Sequence, residues 1–246
     1  MARSCVFCGV TGGLTDEHLV PQWVTRFIHD LGGGSGRMRV SQQFADSRRE
    51  FRTHARSSSL KVKVVCAHCN NGWLSTLEND AQPHLETMIA GRGMTFSPDV
   101  SMKVATWALK MGVLLDHNHP GSKVVPAHHY RWLRARRRAW PTAKVYAGSF
   151  HKFGSEHIVG LQTFGPLPIR VYLANLVFGH MVLLGFTGPI AEEFNVQLPQ
   201  PMGADTLVEI WPHSGVTTWP PPFALNDELL TELIQEMSVQ WVPPRP

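Results

Sequence analysis

Residues 5–20 read CVFCGVTGGLTDEHLV, and residues 66–69 repeat the opening spacing as CAHC. These two segments hold all four cysteines of the 246-residue chain, namely Cys5, Cys8, Cys66 and Cys69. Thiolate pairs with two intervening residues are typical of tetrahedral zinc with four sulfur ligands. We therefore expect one structural zinc ion, and the alternative is a set of reactive or redox thiols.

The first ten residues, MARSCVFCGV, lack the apolar run of a signal peptide. This predicts a cytoplasmic protein whose thiols stay reduced, which favours metal binding over disulfides. The apolar stretch Val171 to Phe186 is interrupted by Asn175, Gly179 and His180. It is also shorter than the roughly 20 residues that a spanning helix needs, so we predict two buried strands and no membrane contact.

Short elements are predicted between and after the cysteine pairs. Apolar residues at spacing four after Asn70 predict a helix that Pro83 kinks or splits. The arginine-rich stretch that follows residue 36 predicts a mobile or hairpin insertion. The expected order is a strand at 14–20, a helix at 22–30, the insertion at 37–59, a strand at 60–65 and a helix from 70.

The rest of the chain has no cysteine and a different texture, so we place a domain boundary near residues 91–93. The predicted fold class is α+β, with an N-terminal domain at 1–92 and an α+β C-terminal domain of unknown type at 93–246. Helices are predicted at 97–115, 127–138 and 227–237, and strands at 143–150, 157–164, 169–178, 181–187 and 206–211.

Positive charge is concentrated in two blocks. The net charge is +4, yet residues 37–63 hold eight Lys or Arg against two acids, and residues 117–155 hold eight against none. Such blocks suit a polyanion such as DNA, because each neutralised phosphate releases counterions; two solvated loops are the alternative. The residues expected to contact nucleic acid are Arg48, Arg49, Arg52, Arg134, Arg136, Arg137 and Arg138.

Glu17 and His18 lie between the cysteine pairs, and Asn70 follows Cys69 directly. Zinc binding would therefore bring the strand that carries the histidine close to the start of the helix. Phosphodiester hydrolysis needs an activated water, a cation on the phosphate and groups that hold the cation. An acid, a base and an amide oxygen supply this set, and Mg²⁺ or Mn²⁺ takes its remaining ligands from water and phosphate.

These motifs resemble the HNH endonucleases that have a zinc-bound treble-clef frame. The resemblance covers Cys5 to Gly9, Leu14 to Pro21 and Cys66 to Asn70, within roughly the first 90 residues. It is strongest for a subgroup reading EH-x-x-P-x-W and C-x-x-C-N-x-G-W-x-x-x-L-E. The resemblance implies a ββα-metal fold that hydrolyses DNA, with His18 as general base and with Glu17 and Asn70 as ligands of a catalytic Mg²⁺ or Mn²⁺.

One position departs from the family pattern. Lys61 stands where these enzymes usually have their middle asparagine, which orients the base through backbone contacts. Because of this departure, a catalytically weak or inactive member of the family is an open alternative. Asn71 is an alternative to Asn70 as the metal ligand. Each of the three candidate residues also has a purely structural interpretation. In it, His18 is a core histidine, Glu17 is a solvated strand residue and Asn70 is a helix cap.

The rival function is a non-catalytic zinc module that binds nucleic acid or a protein, and the Lys61 departure is its best support. In the nuclease interpretation, the C-terminal domain sets the choice of target or partner, through a protein partner or a homodimer. A third interpretation makes the C-terminal domain an enzyme or sensor of its own, with the nuclease as its effector.

Overall fold

The computed structural model describes residues 3–33, 37–44, 47–56, 60–118, 124–151, 156–164, 171–188, 194–199, 205–212 and 215–241. At positions 37, 42–44, 47–56, 156, 157 and 241 the description covers the backbone alone. Helices and strands are mixed throughout, which confirms the α+β class.

An antiparallel ribbon of two strands opens the N-terminal half. Strand β1 (Leu14–His18) pairs with β4 (Lys61–Cys66), and α1 (Gln22–Asp30) follows β1. After β4 the chain forms a short helix α2 (Ala67–Cys69), a kinked turn (Asn70–Leu74) in which Gly72 leaves the helical conformation, and helix α3 (Ser75–Ile89). The predicted strands and helices of this half are confirmed within a few residues at their ends.

Pro83 lies inside α3, and the helix continues past it to Ile89 without a split. Leu77, Ala81, Leu85 and Met88 are buried along one side of this helix, in the apolar pattern that the sequence predicted. Burial of this stripe offsets the backbone hydrogen bond that proline cannot make.

The basic insertion forms a hairpin of β2 (Arg37–Phe44) and β3 (Ser47–Arg56), which confirms the hairpin alternative. Strand β2 also pairs in parallel with β7 (Glu156–Phe164), more than a hundred residues further along the chain. A segment from between the cysteine pairs therefore joins a sheet of the C-terminal half. The domain boundary near residue 92 stays a prediction.

The large sheet has seven strands in the order β11-β6-β9-β8-β7-β2-β3, and all neighbours except β2 and β7 are antiparallel. Its remaining members are β6 (Lys144–Ser149), β8 (Val171–Phe178), β9 (Met181–Thr187) and β11 (Leu207–Trp211). The apolar run at 171–186 forms the hairpin of β8 and β9, as predicted. Within the described ranges, no helix combines the length and the apolarity that crossing a membrane requires.

Helices cover both faces of this sheet. Helix α4 (Pro98–Leu115) packs on one face, where the sheet's apolar side chains join the core that contains the cysteines. Helix α6 (Asp227–Glu236) belongs to a second core on the opposite face. The Ser97 hydroxyl caps α4 by accepting from the Val100 amide, with Pro98 as the first helical residue.

Helix α5 (Ala127–Arg136) packs against α4. Two further ribbons pair β5 (Met94–Phe96) with β12 (Thr217–Trp219), and β10 (Phe194–Gln197) with β13 (Ser238–Trp241). The sequence did not predict these four strands, because three or four residues are too few for a recognisable alternation.

Candidate metal centre and catalytic site

The four cysteine sulfurs converge on one point. All of them lie within 4.8 Å of one another, and the Sγ atoms of Cys8 and Cys66 are 3.5 Å apart. Cys5, Cys66 and Cys69 are buried and Cys8 is half-buried, and all four are free thiols. The predicted cysteine cluster is confirmed, and its donor set suits a metal such as zinc.

The turn at the first pair positions its two sulfurs. The Cys5 amide donates to the Val10 carbonyl at 2.9 Å, and the Gly9 amide donates to the Cys5 carbonyl at 2.8 Å. Gly9 has a φ of +75°, a backbone conformation that favours glycine. The Val6 amide donates to the Val64 carbonyl at 3.0 Å, which fastens this turn to β4 next to the second pair.

The thiols of the cluster differ in how readily they ionise. Burial, together with the neighbouring thiols Cys8 and Cys66, raises the pKa of Cys69 to about 12. Burial opposes ionisation of Cys5 as well, but hydrogen bonds from backbone amides outweigh it and lower the pKa of Cys5 to about 7. Without a metal the Cys69 thiol is therefore neutral, and a bound cation such as zinc would be needed to hold all four side chains as thiolates.

Glu17 is only 8% exposed and faces a lysine of helix α4. The Lys110 Nζ atom donates to Glu17 Oε1 at 3.1 Å and to Glu78 Oε1 at 2.6 Å, and Lys110 is 0% exposed. Burial alone would lower the pKa of Lys110, but the two carboxylates outweigh it and raise the pKa above its usual value. Glu17 is therefore buried in an ion pair, which excludes the alternative that it is a solvated strand residue.

His18 lies directly opposite Lys61 in the ribbon of β1 and β4. Its imidazole is half-buried, and its Nε2 atom lies 2.8 Å from Nε2 of Gln22. The Nδ1 atom is buried and has no hydrogen-bond partner among the described residues. The position that departs from the family pattern is thus the cross-strand neighbour of the predicted base.

Electrostatics keep the His18 imidazole neutral. Burial is the largest cause of its lowered pKa, and the positive charge of Lys61 adds to it. The carboxylates of Glu17 and Asp16 act in the opposite direction without reversing the shift. A neutral imidazole retains one lone pair that can accept a proton, and at Nε2 this lone pair faces the Gln22 side-chain amide, which a water molecule would have to replace.

Asn70 ties the start of the helical region to β1. Its Nδ2 atom donates to Thr15 Oγ1 at 3.1 Å, and the Thr15 hydroxyl donates to the Val65 carbonyl at 3.0 Å. Asn70 follows Cys69 as the first residue of the kinked turn, so it does not cap a helix N-terminus. Asn71 is exposed.

The described residues do not fit a divalent ion held jointly by Glu17 and Asn70. The Glu17 carboxylate is paired with an ammonium, which repels a second cation, and Asn70 is held at β1 through its amide nitrogen rather than through the carbonyl oxygen that would bind a metal. In the described part of the chain, only the cysteines form a group of three or more His, Cys, Asp or Glu side chains with converging ligand atoms. The sequence missed Lys110, since nothing near it in the chain indicates a partner 93 residues away.

Three arginines of the second basic block face the cysteine cluster across a groove of about 510 Å³. This arginine groove is lined by Phe7, His68, Cys69, Trp73, Arg131, Arg134, Ala135 and Arg137. None of its arginines forms an ion pair with a described carboxylate. Unpaired cations gathered in one groove favour an anionic ligand.

Arg136 and Arg138, two further predicted nucleic-acid contacts, do not line the groove. Arg136 lies over the Trp132 ring at 5.8 Å, and Arg138 accepts the Trp132 indole hydrogen bond through its backbone carbonyl. The sequence expectation omitted Arg131, although its spacing of three residues from Arg134 indicates a shared helix face. The side chains of Arg48, Arg49 and Arg52 lie outside the described residues, and their role stays a prediction.

We expect Cys66→Ser to lose the bound zinc and to lower the melting temperature strongly. Structural zinc contributes an apparent free energy of about 10 kcal/mol or more to small domains. Elemental analysis and circular dichroism would measure both effects. His68→Ala is the matched control, because His68 is exposed between the same two cysteines and should retain the metal. A Cys66→Ser protein with full zinc and an unchanged melting curve would contradict the zinc assignment.

Comparisons with known proteins leave this site to be interpreted from its own geometry. No protein-family model, no curated protein and no solved structure matches the chain. The resemblance to HNH endonucleases therefore depends on the motifs around the two cysteine pairs and on the positions of their side chains.

Proposed function

We propose that this chain is an HNH-type endonuclease that hydrolyses phosphodiester bonds of DNA, with a treble-clef ββα-metal domain at residues 1–92. The observation that carries the proposal is the position of His18. It ends a strand whose partner runs into the second cysteine pair, and its imidazole is neutral and only half-buried. A positioned neutral imidazole is suited to act as a general base.

In this proposal, His18 takes a proton from a water molecule whose oxygen attacks the phosphorus. The bond from phosphorus to the leaving oxygen then breaks, and that oxygen takes up a proton. Mg²⁺ or Mn²⁺ remains the cation that the family resemblance implies, but no ligands are assigned to it. The Glu17 carboxylate is already paired with the Lys110 ammonium, so no step depends on an ion held by Glu17.

The arginine groove supports nucleic acid as the ligand of this module. Arg131, Arg134 and Arg137 add positive charge beside the cysteine cluster, and Phe7 and Trp73 supply aromatic walls. Guanidinium groups bind phosphate oxygens in bidentate geometry. Phosphate contacts hold the backbone in position without reading its sequence.

A second candidate, a zinc module that binds nucleic acid without cleaving it, has one specific observation in its favour. Lys110 neutralises Glu17, the acid that the family resemblance assigns to the catalytic cation. The unpartnered Nδ1 atom of His18 is consistent with a base that lacks its usual orienting contact. The two candidates differ in cleavage and agree in binding.

Zinc-loaded protein should nick supercoiled plasmid in the presence of Mg²⁺ or Mn²⁺ and stop when a chelator removes the added ion. His18→Ala should reduce the cleavage rate by roughly 100-fold or more while zinc content and DNA affinity persist, because only the base is lost. His29→Ala is the matched control, since His29 is highly exposed on α1. Normal cutting by His18→Ala, or no cutting by the native protein with either ion, would favour the binding module.

The pH profile of cleavage should reflect the lowered pKa of His18. A base works when it is unprotonated, so activity should fall only below the ordinary histidine value of about 6.5. Lys61→Asn removes a charge that lowers this pKa, so the midpoint should move upward. The profile of kcat/KM and an NMR titration of His18 would measure the shift. Lys63→Asn on the same strand is the control, and equal midpoints in both variants would contradict this account.

Replacing Arg131, Arg134 and Arg137 with Gln should weaken DNA binding at all sequences alike. The slope of log affinity against log salt should flatten by up to about three, since each phosphate that is no longer neutralised changes it by about 0.9. Arg136→Gln with Arg138→Gln is the control, because these side chains do not line the groove. Fluorescence anisotropy over a salt series would measure both slopes. An unchanged slope in the groove variant would place DNA on another surface.

A further inference from the structure

Helix α4 carries one charged side chain into the protein interior. Residues 104–115 of this helix are all buried, and Lys110 is the only one of them that carries a charge. An unpaired ammonium is strongly disfavoured in an apolar interior, so its position depends on the groups around it. Those groups are two carboxylates from separate elements, Glu17 on β1 and Glu78 on α3.

The ammonium in turn stabilises the two carboxylates. Glu17 and Glu78 both direct an Oε1 atom at the Lys110 Nζ atom, at 3.1 Å and 2.6 Å. Their side chains are only 10% and 20% exposed, so water screens their repulsion weakly. Two ionised carboxylates converge in this way when a cation lies between them, and without that cation the pair would have to share a proton.

The arrangement matches what a hard divalent cation would receive from the same residues. Carboxylate oxygens are the protein ligands that Mg²⁺ and Ca²⁺ prefer, and one or two carboxylates with water complete many such sites. With the ammonium the three groups carry a net charge of −1, whereas a divalent ion would neutralise the pair. A lysine that is 0% exposed cannot swing out to admit an ion.

We propose that Lys110 is the permanent cation of the Glu17–Glu78 pair, so that its ammonium occupies the place of a divalent ion and excludes one from Glu17. This inference goes beyond the proposed function and does not depend on it, because its claim concerns ion binding at Glu17 and Glu78 alone. Lys110 would influence a reaction only through Glu17, whose carboxylate it holds in position. Removing its side chain should leave an oxygen-lined space that binds a divalent ion.

The test compares two variants that remove the same charge. Lys110→Ala leaves space between the carboxylates, and Lys110→Met fills that space with an apolar chain of similar length. Both should melt at a lower temperature than the native protein. Ca²⁺ should raise the melting temperature of Lys110→Ala by about 5 to 10 °C at a hundredfold excess over its dissociation constant. It should not raise that of Lys110→Met or of the native protein.

Calcium is the probe because it binds oxygen ligands and does not compete for the cysteine thiolates. Glu17→Gln in the Lys110→Ala background should abolish the calcium response, which locates the ion at this pair. If Lys110→Ala does not fold even with calcium, titration calorimetry that compares metal binding by the native protein with metal binding by Glu17→Gln still tests the inference. Identical Ca²⁺ and Mn²⁺ isotherms for those two proteins support the proposal.

Two results would overturn the inference. One is a folded Lys110→Ala protein that shows no response to calcium, and the other is native binding of Ca²⁺ or Mn²⁺ that Glu17→Gln removes. Both are independent of nuclease activity, because they measure unfolding and binding. A protein that cuts no DNA but gains a calcium site in Lys110→Ala would refute the proposed function and leave this inference standing.

Discussion

Four sulfur atoms within 4.8 Å of one another connect two parts of the chain that are separated by nearly sixty residues. Because the second pair ends β4 and begins the helical region, closing this cluster brings β1 against β4 and sets their register. His18, Lys61, Thr15 and Asn70 become neighbours through that pairing. A metal held by the sulfurs would therefore stabilise the geometry of every candidate catalytic residue on the ribbon.

The N-terminal half that holds the cysteine cluster packs together with the rest of the chain. Its insertion contributes β2 and β3 to the seven-stranded sheet, and a single apolar core extends from Cys5 and Phe7 to the strands of that sheet. Lys110 adds a polar fastening, since one ammonium from α4 binds carboxylates on β1 and α3. Loosening α4 would therefore disturb Glu17 and, through the backbone, the adjacent His18.

Elements with strong local signals could be predicted from the sequence, and pairings between distant segments could not. The cysteine spacing predicted the cysteine cluster, and the apolar run at 171–186 predicted the hairpin of β8 and β9. The parallel pairing of β2 with β7 has no local signal, because it depends on which strands the core brings together. Lys110 was missed for a related reason, since an isolated lysine in a helix is usually a surface residue.

The basic hairpin also bears on association between copies of this chain. Among the described strands, β3 lies at one end of the seven-stranded sheet and so presents unpaired backbone groups along its outer side. Such an edge can recruit a strand from another molecule, and clustered positive charge is one means by which proteins prevent this. Strand β3 carries Arg48, Arg49, Arg52 and Arg56 along its length. Two such edges brought together would repel each other, so this hairpin helps to keep the sheet from growing between molecules.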